Sequence, residues 1–127
     1  MKFNENELPI CEMRFGKQVD KIIAVVNNYY NYEPTGNRSS QNLKQRQIIH
    51  YFCKNLTKAP LWYIGYMAGG KDHATVLNSN KKVLNYIETE KAYRDEIEEI
   101  EKQLSDAKLV LFQTKNKFLL TRFLKVS

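Results

Sequence analysis

The apolar positions of this chain fall on helical spacings along most of its length, and few breaks separate them. Phe15, Val19, Ile22, Ile23, Val26, Tyr29 and Tyr30 predict a first core helix over 15–32, with the tyrosines as core and rim. The polar stretch before it, 1–13, reads as a flexible lead-in. EPTGNRSS, 33–40, is a loop by its Pro, Gly, Asn and Ser content. Gln41 to Leu56 predicts a second helix capped by Ser39 or Ser40. Its pattern turns Leu43, Ile49, Phe52, Cys53 and Leu56 inward, and Lys44, Arg46, Gln47 and Lys54 outward. Residues 57–60 connect, and Pro60 suits the start of the next helix.

The stretch LWYIGYMAGGKDHATVLNSNKKV, 61–83, is the centre of the chain. Leu61, Ile64 and Ala68 form a short helical stripe that Gly69 and Gly70 break, and Asp72 is placed to cap a second helix. Val76, Leu77, Val83, Leu84 and Ile87 form the apolar side of that helix. Ala74, Asn78, Lys81, Lys82 and Asn85 form the other side, with amides and cations and no carboxylate. Helix, glycine turn and a second helix with such a face read as a helix-turn-helix whose second helix enters a DNA major groove.

The apolar pattern continues past Val83. Val83, Ile97, Leu104, Leu111 and Phe118 lie at multiples of seven, and Tyr86, Tyr93, Ile100 and Ala107 supply the intervening seam, with Glu90 interrupting. This predicts a long C-terminal helix packed on a partner, either a second chain or the first helix of its own. The tail KLVLFQTKNKFLLTRFLKVS fits a last amphipathic helix or a hairpin turning at 114–117.

Charge sharpens this picture because it is divided along the chain. The net charge is +6, but 37–82 holds eight cations against Asp72 alone, while 86–106 holds three cations against eight anions. The basic part surrounds the predicted helix-turn-helix, as expected for polyanion binding. At 127 residues the chain is one domain with an appended element. It has no apolar run of membrane-spanning length and no signal-peptide core, and Cys11 and Cys53 do not make a disulfide framework. The expected setting is cytoplasmic and nucleoid-associated. No catalytic constellation emerges: the acids of YRDEIEEIEKQL have no histidine partner, and His50 with Cys53 makes two ligands, too few for a zinc site. No cofactor or enzyme activity is expected.

IGYMAGGKDHATVLNSNKKV resembles the signature of the DNA-binding domain (domain IV) of the bacterial replication initiator DnaA, whose core is G-G-[RK]-D-H-[ST]-T-V. Ile64, Gly65, Gly69, Gly70, Lys71, Asp72, His73, Thr75, Val76, Lys82 and Val83 match it. The similarity extends through Leu56, Thr57, Lys54, Arg46, Gln47 and Arg38 to Tyr29 and Tyr30, and covers roughly 18–104. Ala74 replaces the usual hydroxyl residue, and Asn78 stands where a histidine is usual. There is no G-x-x-x-x-G-K-[ST] phosphate loop in the sequence.

The resemblance implies an all-α, DnaA-C/TrpR-like helix-turn-helix standing alone, with 1–13 a lead-in, 14–104 the DNA-binding domain and 105–127 an extension for oligomerisation or partner binding. It implies that Arg38 enters the minor groove, that Asp72, His73, Ala74 and Thr75 face bases, and that Lys54 and Thr57 contact phosphates, with Arg46, Gln47 and Lys71 nearby. Asn78, on the outward stripe, is placed to pair with adenine. The expected function is sequence-specific binding of double-stranded DNA without ATPase activity, in replication initiation or its regulation. The expected partners are duplex DNA and a homodimer or protein partner held through 86–127, with no membrane and no nucleotide. The competing expectation is a protein-interaction or transcription-regulatory module built on the long C-terminal helix.

Overall fold

A computed structural model of the chain describes residues 6–34, 39–69 and 72–106. It has five helices and, among the described residues, no strand: α1 Leu8–Tyr30, α2 Ser40–Leu56, α3 Leu61–Met67, α4 His73–Thr89 and α5 Lys91–Asp106. The all-α expectation holds. The alternatives for 109–127 and the seam positions Ala107, Leu111 and Phe118 lie outside the described residues.

The first helix begins earlier than expected, so 8–13 belong to α1 and not to a lead-in. Pro9 sits in the first turn, where its missing N–H costs no hydrogen bond. Cys11 is buried and extends the stripe of Phe15, Val19, Ile22 and Val26 by one turn. The helix ends at Asn31, whose left-handed backbone (φ 51°) returns its N–H to the carbonyls of Asn27 and Asn28.

α2 runs through the middle, packed by α1, α3 and α4. Ser39 caps it, its hydroxyl accepting from the Asn42 amide at 3.2 Å. Two of its sequence assignments are corrected: Leu43 is 44% exposed, and Gln47 is buried. A helix surrounded on several sides takes polar residues inside, provided each finds a partner. Gln45 is fully buried and donates to Asn27 Oδ1 at 3.1 Å and to the Tyr32 carbonyl at 2.9 Å, tying the end of α1 to α2.

The long C-terminal helix is also corrected. α4 ends at Thr89, and Glu90, with φ −126° and ψ 112°, forms an elbow one residue long. Its N–H closes α4 on the Tyr86 carbonyl at 2.8 Å, and its own carbonyl receives the Arg94 amide at 3.0 Å. The Arg94 guanidinium satisfies the carbonyl of Ile87 at 3.1 Å. Beyond the elbow α5 packs on α1 and α4 and buries Ile97, Ile100 and Leu104. Over 86–106 the seam partner is therefore the chain's own core. No helix among the described residues is long and apolar enough to cross a membrane.

Candidate nucleic-acid interface

The site is built from the end of α3, the turn and α4. α3 has seven residues, with Trp62, Tyr63, Ile64 and Gly65 buried, and Pro60 supplies its N-cap position. Gly69 follows at φ +107°, a backbone that side-chain-bearing residues avoid. A Cβ there would fall 2.6 Å from Arg46 Cδ, so the turn also lies directly against the Arg46 side chain of α2.

Asp72 caps α4 as expected. Its Oδ1 accepts from both the Thr75 amide and the Thr75 hydroxyl, each at 2.9 Å. The Thr75 amide, then its hydroxyl, hold the Asp72 carboxyl below its ordinary value, so the cap is anionic at neutral pH. The Thr75 hydroxyl proton is engaged by Asp72, which leaves the methyl and the oxygen lone pairs for a ligand.

On α4, Val76, Ser79, Val83 and Ile87 face inward. Ala74, Asn78, Lys81, Lys82 and Asn85 are exposed, as the spacing predicts. Leu77 is corrected from core to surface at 41% exposure. It lies three residues after Ala74 and four before Lys81, which puts it on their side of the helix. That spacing, and not its apolar type, is the sequence signal for its place. His73 is half-buried, and its Nδ1 is shielded with no hydrogen-bond partner, so a contact of this ring with a ligand falls to Nε2.

Two polar pairs brace α4 on α2. His50 Nδ1 lies 2.9 Å from Ser79 Oγ, and Asn55 Nδ2 donates to Asn80 Oδ1 at 2.8 Å. Arg46 and Lys54 are half-buried on α2. Thr57 is buried, and its hydroxyl donates to the Cys53 carbonyl at 2.7 Å and accepts from the Ala59 amide at 3.2 Å. Neither the Thr57 nor the Gln47 side chain is set out toward a ligand. Arg38 and Lys71 lie outside the described residues.

The interior holds little reactive chemistry. Burial pushes the Cys53 thiol up, and burial followed by Glu7 does the same to Cys11. Among the described residues no group of three His, Cys, Asp or Glu side chains is placed to hold a metal ion.

The bacterial DnaA protein helix-turn-helix family matches residues 19–83, from α1 to the inward Val83 of α4. The chain is 35% identical over 88 residues to the chromosomal replication initiator protein DnaA of Wolbachia pipientis, which covers 66% of this chain and 19% of that protein. It is 37% identical over 90 residues to that of Bacteroides thetaiotaomicron, covering 68% and 19%. With the protein from the Wolbachia of Brugia malayi it shares 36% over 106 residues, covering 80% and 21%. The chain thus spans about a fifth of the length of these curated relatives. The matched segment contains the capped first part of α4, the Gly69 turn and the α2 brace, and with it the chain belongs to the bacterial DnaA helix-turn-helix family.

Proposed function

We propose that this chain is a sequence-specific reader of double-stranded DNA, with α4 lying in the major groove. The supporting observation is the exposed face of α4, where Ala74, Leu77, Asn78, Lys81, Lys82 and Asn85 offer apolar groups, amides and cations, and no carboxylate follows the cap until Glu88. A groove presents donors, acceptors and thymine methyls between rows of phosphates, and this face complements it.

In this reading Asp72 accepts from a cytosine amino group through the oxygen that does not cap the helix, and His73 reaches a base through Nε2. Ala74, Leu77 and the Thr75 methyl meet thymine methyls. Asn78 pairs with adenine N6 and N7, which sets the preferred site apart from that of relatives with histidine there. Lys54, Arg46 and Lys71 hold phosphates, and Arg38 enters a narrow minor groove. Gln47 and Thr57 support this surface from within.

The relatives are named as chromosomal replication initiators, and the biological role proposed here is in replication initiation or its regulation. This sequence carries no phosphate-loop motif, so the binding is read as independent of nucleotide. Selection of bound duplexes from a random pool at near-physiological salt tests the reading. A defined motif is expected, with an affinity that added ATP leaves unchanged. Recovery of no motif by folded protein would falsify it.

A further inference from the structure

His50 is fully buried near the middle of α2, and both ring nitrogens are engaged. Nε2 lies 2.9 Å from the Ala68 carbonyl oxygen and Nδ1 lies 2.9 Å from Ser79 Oγ. A carbonyl only accepts, so Nε2 carries the proton; in the neutral ring Nδ1 then accepts, and the Ser79 hydroxyl donates to it. The two partners together fix the tautomer and the ring's orientation.

These partners belong to the two halves of the helix-turn-helix. Ala68 is the C-cap of α3, and its carbonyl is one of those a helix end leaves without an intrahelical partner. The glycine turn follows at once. Ser79 points inward from α4 between Val76 and Val83, at a position where an apolar residue would continue the stripe. A buried hydroxyl and a buried imidazole each carry a desolvation cost that only a well-placed partner offsets. An apolar pair would fill the same space, but it would not specify direction.

We infer that His50 is a positioning residue for base recognition. By holding the end of α3 and the second turn of α4 on one ring, it fixes the rotation and advance of α4 relative to the turn. Asp72 through Asn78 then meet base edges in a single register. The inference rests on the DNA-reading function proposed above. Base contacts are short and directional, whereas flexible cations follow a displaced phosphate. Loss of the ring's two bonds therefore lowers discrimination more than general affinity.

The test compares His50→Leu, His50→Gln and Ser79→Ala with the wild type. Each is measured for binding to the selected duplex and to a scrambled duplex at one salt concentration, alongside circular dichroism and thermal melting. His50→Leu removes both bonds, while the glutamine amide retains one donor for Ala68 and one acceptor for Ser79. His50→Leu is expected to lose about tenfold in the selected-to-scrambled ratio, on the scale of one base contact, with scrambled binding little changed. His50→Gln recovers most of the ratio, and Ser79→Ala loses part of it. Nitrogen NMR of the wild-type ring is expected to show the neutral Nε2–H form.

A wild-type ratio in His50→Leu overturns the inference. So does a parallel loss on both duplexes that follows the melting temperature and that glutamine does not rescue, or the opposite tautomer. Should His50→Leu fail to fold, His50→Gln and Ser79→Ala carry the same comparison. A wild type with no preferred duplex overturns the functional reading and this inference together, and it is recognised before any variant is compared; a selective wild type with an unaffected His50→Leu overturns the inference alone.

Discussion

Lys44 on α2 forms a 2.9 Å ion pair with Glu96 on α5. The same carboxylate accepts from the Tyr30 hydroxyl at 2.9 Å, and the ammonium lies 5.4 and 5.5 Å from the ring centres of Tyr30 and Tyr93. One cation of the basic segment is thus taken up by the acidic one, and the contact joins α5 to both α1 and α2. Lys44→Met and Glu96→Gln are each expected to cost about 1–2 kcal/mol, since the pair is partly buried and hydrogen-bonded to a third group. Urea unfolding checks the cost, and the double variant should cost less than the two single changes summed. The salt dependence of DNA binding should stay the same in Lys44→Met. A shallower slope would mean that Lys44 leaves Glu96 to contact a phosphate.

Gly69→Ala should destabilise the fold by about 1–3 kcal/mol, because its φ of +107° lies where L side chains are strained. A second source of cost is the Arg46 side chain, whose Cδ would lie 2.6 Å from the new methyl. The two are separable by making Gly69→Ala in an Arg46→Ala background. Backbone strain survives that change and the clash does not. Full recovery of stability in the double variant would assign the whole effect to Arg46.

The turn and α4 are legible in the sequence because their signals are local. Gly69, the Asp72 cap and the spacing of Val76, Val83 and Ile87 each act within a few residues. Burial on α2 depends instead on what lies across the fold. Leu43 is apolar but 44% exposed, while Gln45, Gln47, His50 and Ser79 are polar but enclosed. For Gln45 and His50 the partners lie 13 to 29 residues away, so no local pattern announces their burial. The Glu90 elbow escaped for a different reason. Helices on both sides of it face the same core, so the seven-residue spacing continues through the bend as it would through a straight helix. The roles given to Arg38 and Lys71 rest on the family resemblance, both residues lying outside the described ones.

Contacts to bases and to phosphates should separate under mutation. Asn78 is exposed on the outward face of α4, and Lys54 is half-buried in the last turn of α2. Asn78→Ala is expected to relax preference at one base pair by about 1–3 kcal/mol. Lys54→Ala should weaken every duplex alike and reduce the magnitude of the salt slope by roughly one unit. Competition binding with single-base-pair variants of the selected site, repeated across salt concentrations, distinguishes them. A sequence-independent effect of Asn78→Ala would remove it from the base-reading set.

Alkali should unfold this protein through its tyrosines. Burial raises the phenols of Tyr30, Tyr63 and Tyr93 above the ordinary range, and Tyr63 is pushed up to about 12. The Glu96 hydrogen bond and charge add to the effect at Tyr30, the Glu96 charge adds to it at Tyr93, and Glu12 and Asp20 add to it at Tyr63. The raised values mean that the folded state keeps protons the unfolded chain releases. Their stabilisation is complete below the unfolded value of about 10 and is lost as pH rises from there through the folded values. Ultraviolet titration of the eight tyrosines should therefore show an early phase near pH 10 and a later one that coincides with loss of helical circular dichroism. Tyr63→Phe tests the assignment cleanly, because the Tyr63 hydroxyl is buried with no hydrogen-bond partner and its removal breaks none. That variant should lose one late-titrating phenol and move the alkaline midpoint upward. A single phase near pH 10 in folded protein would instead mean that water reaches these rings without unfolding.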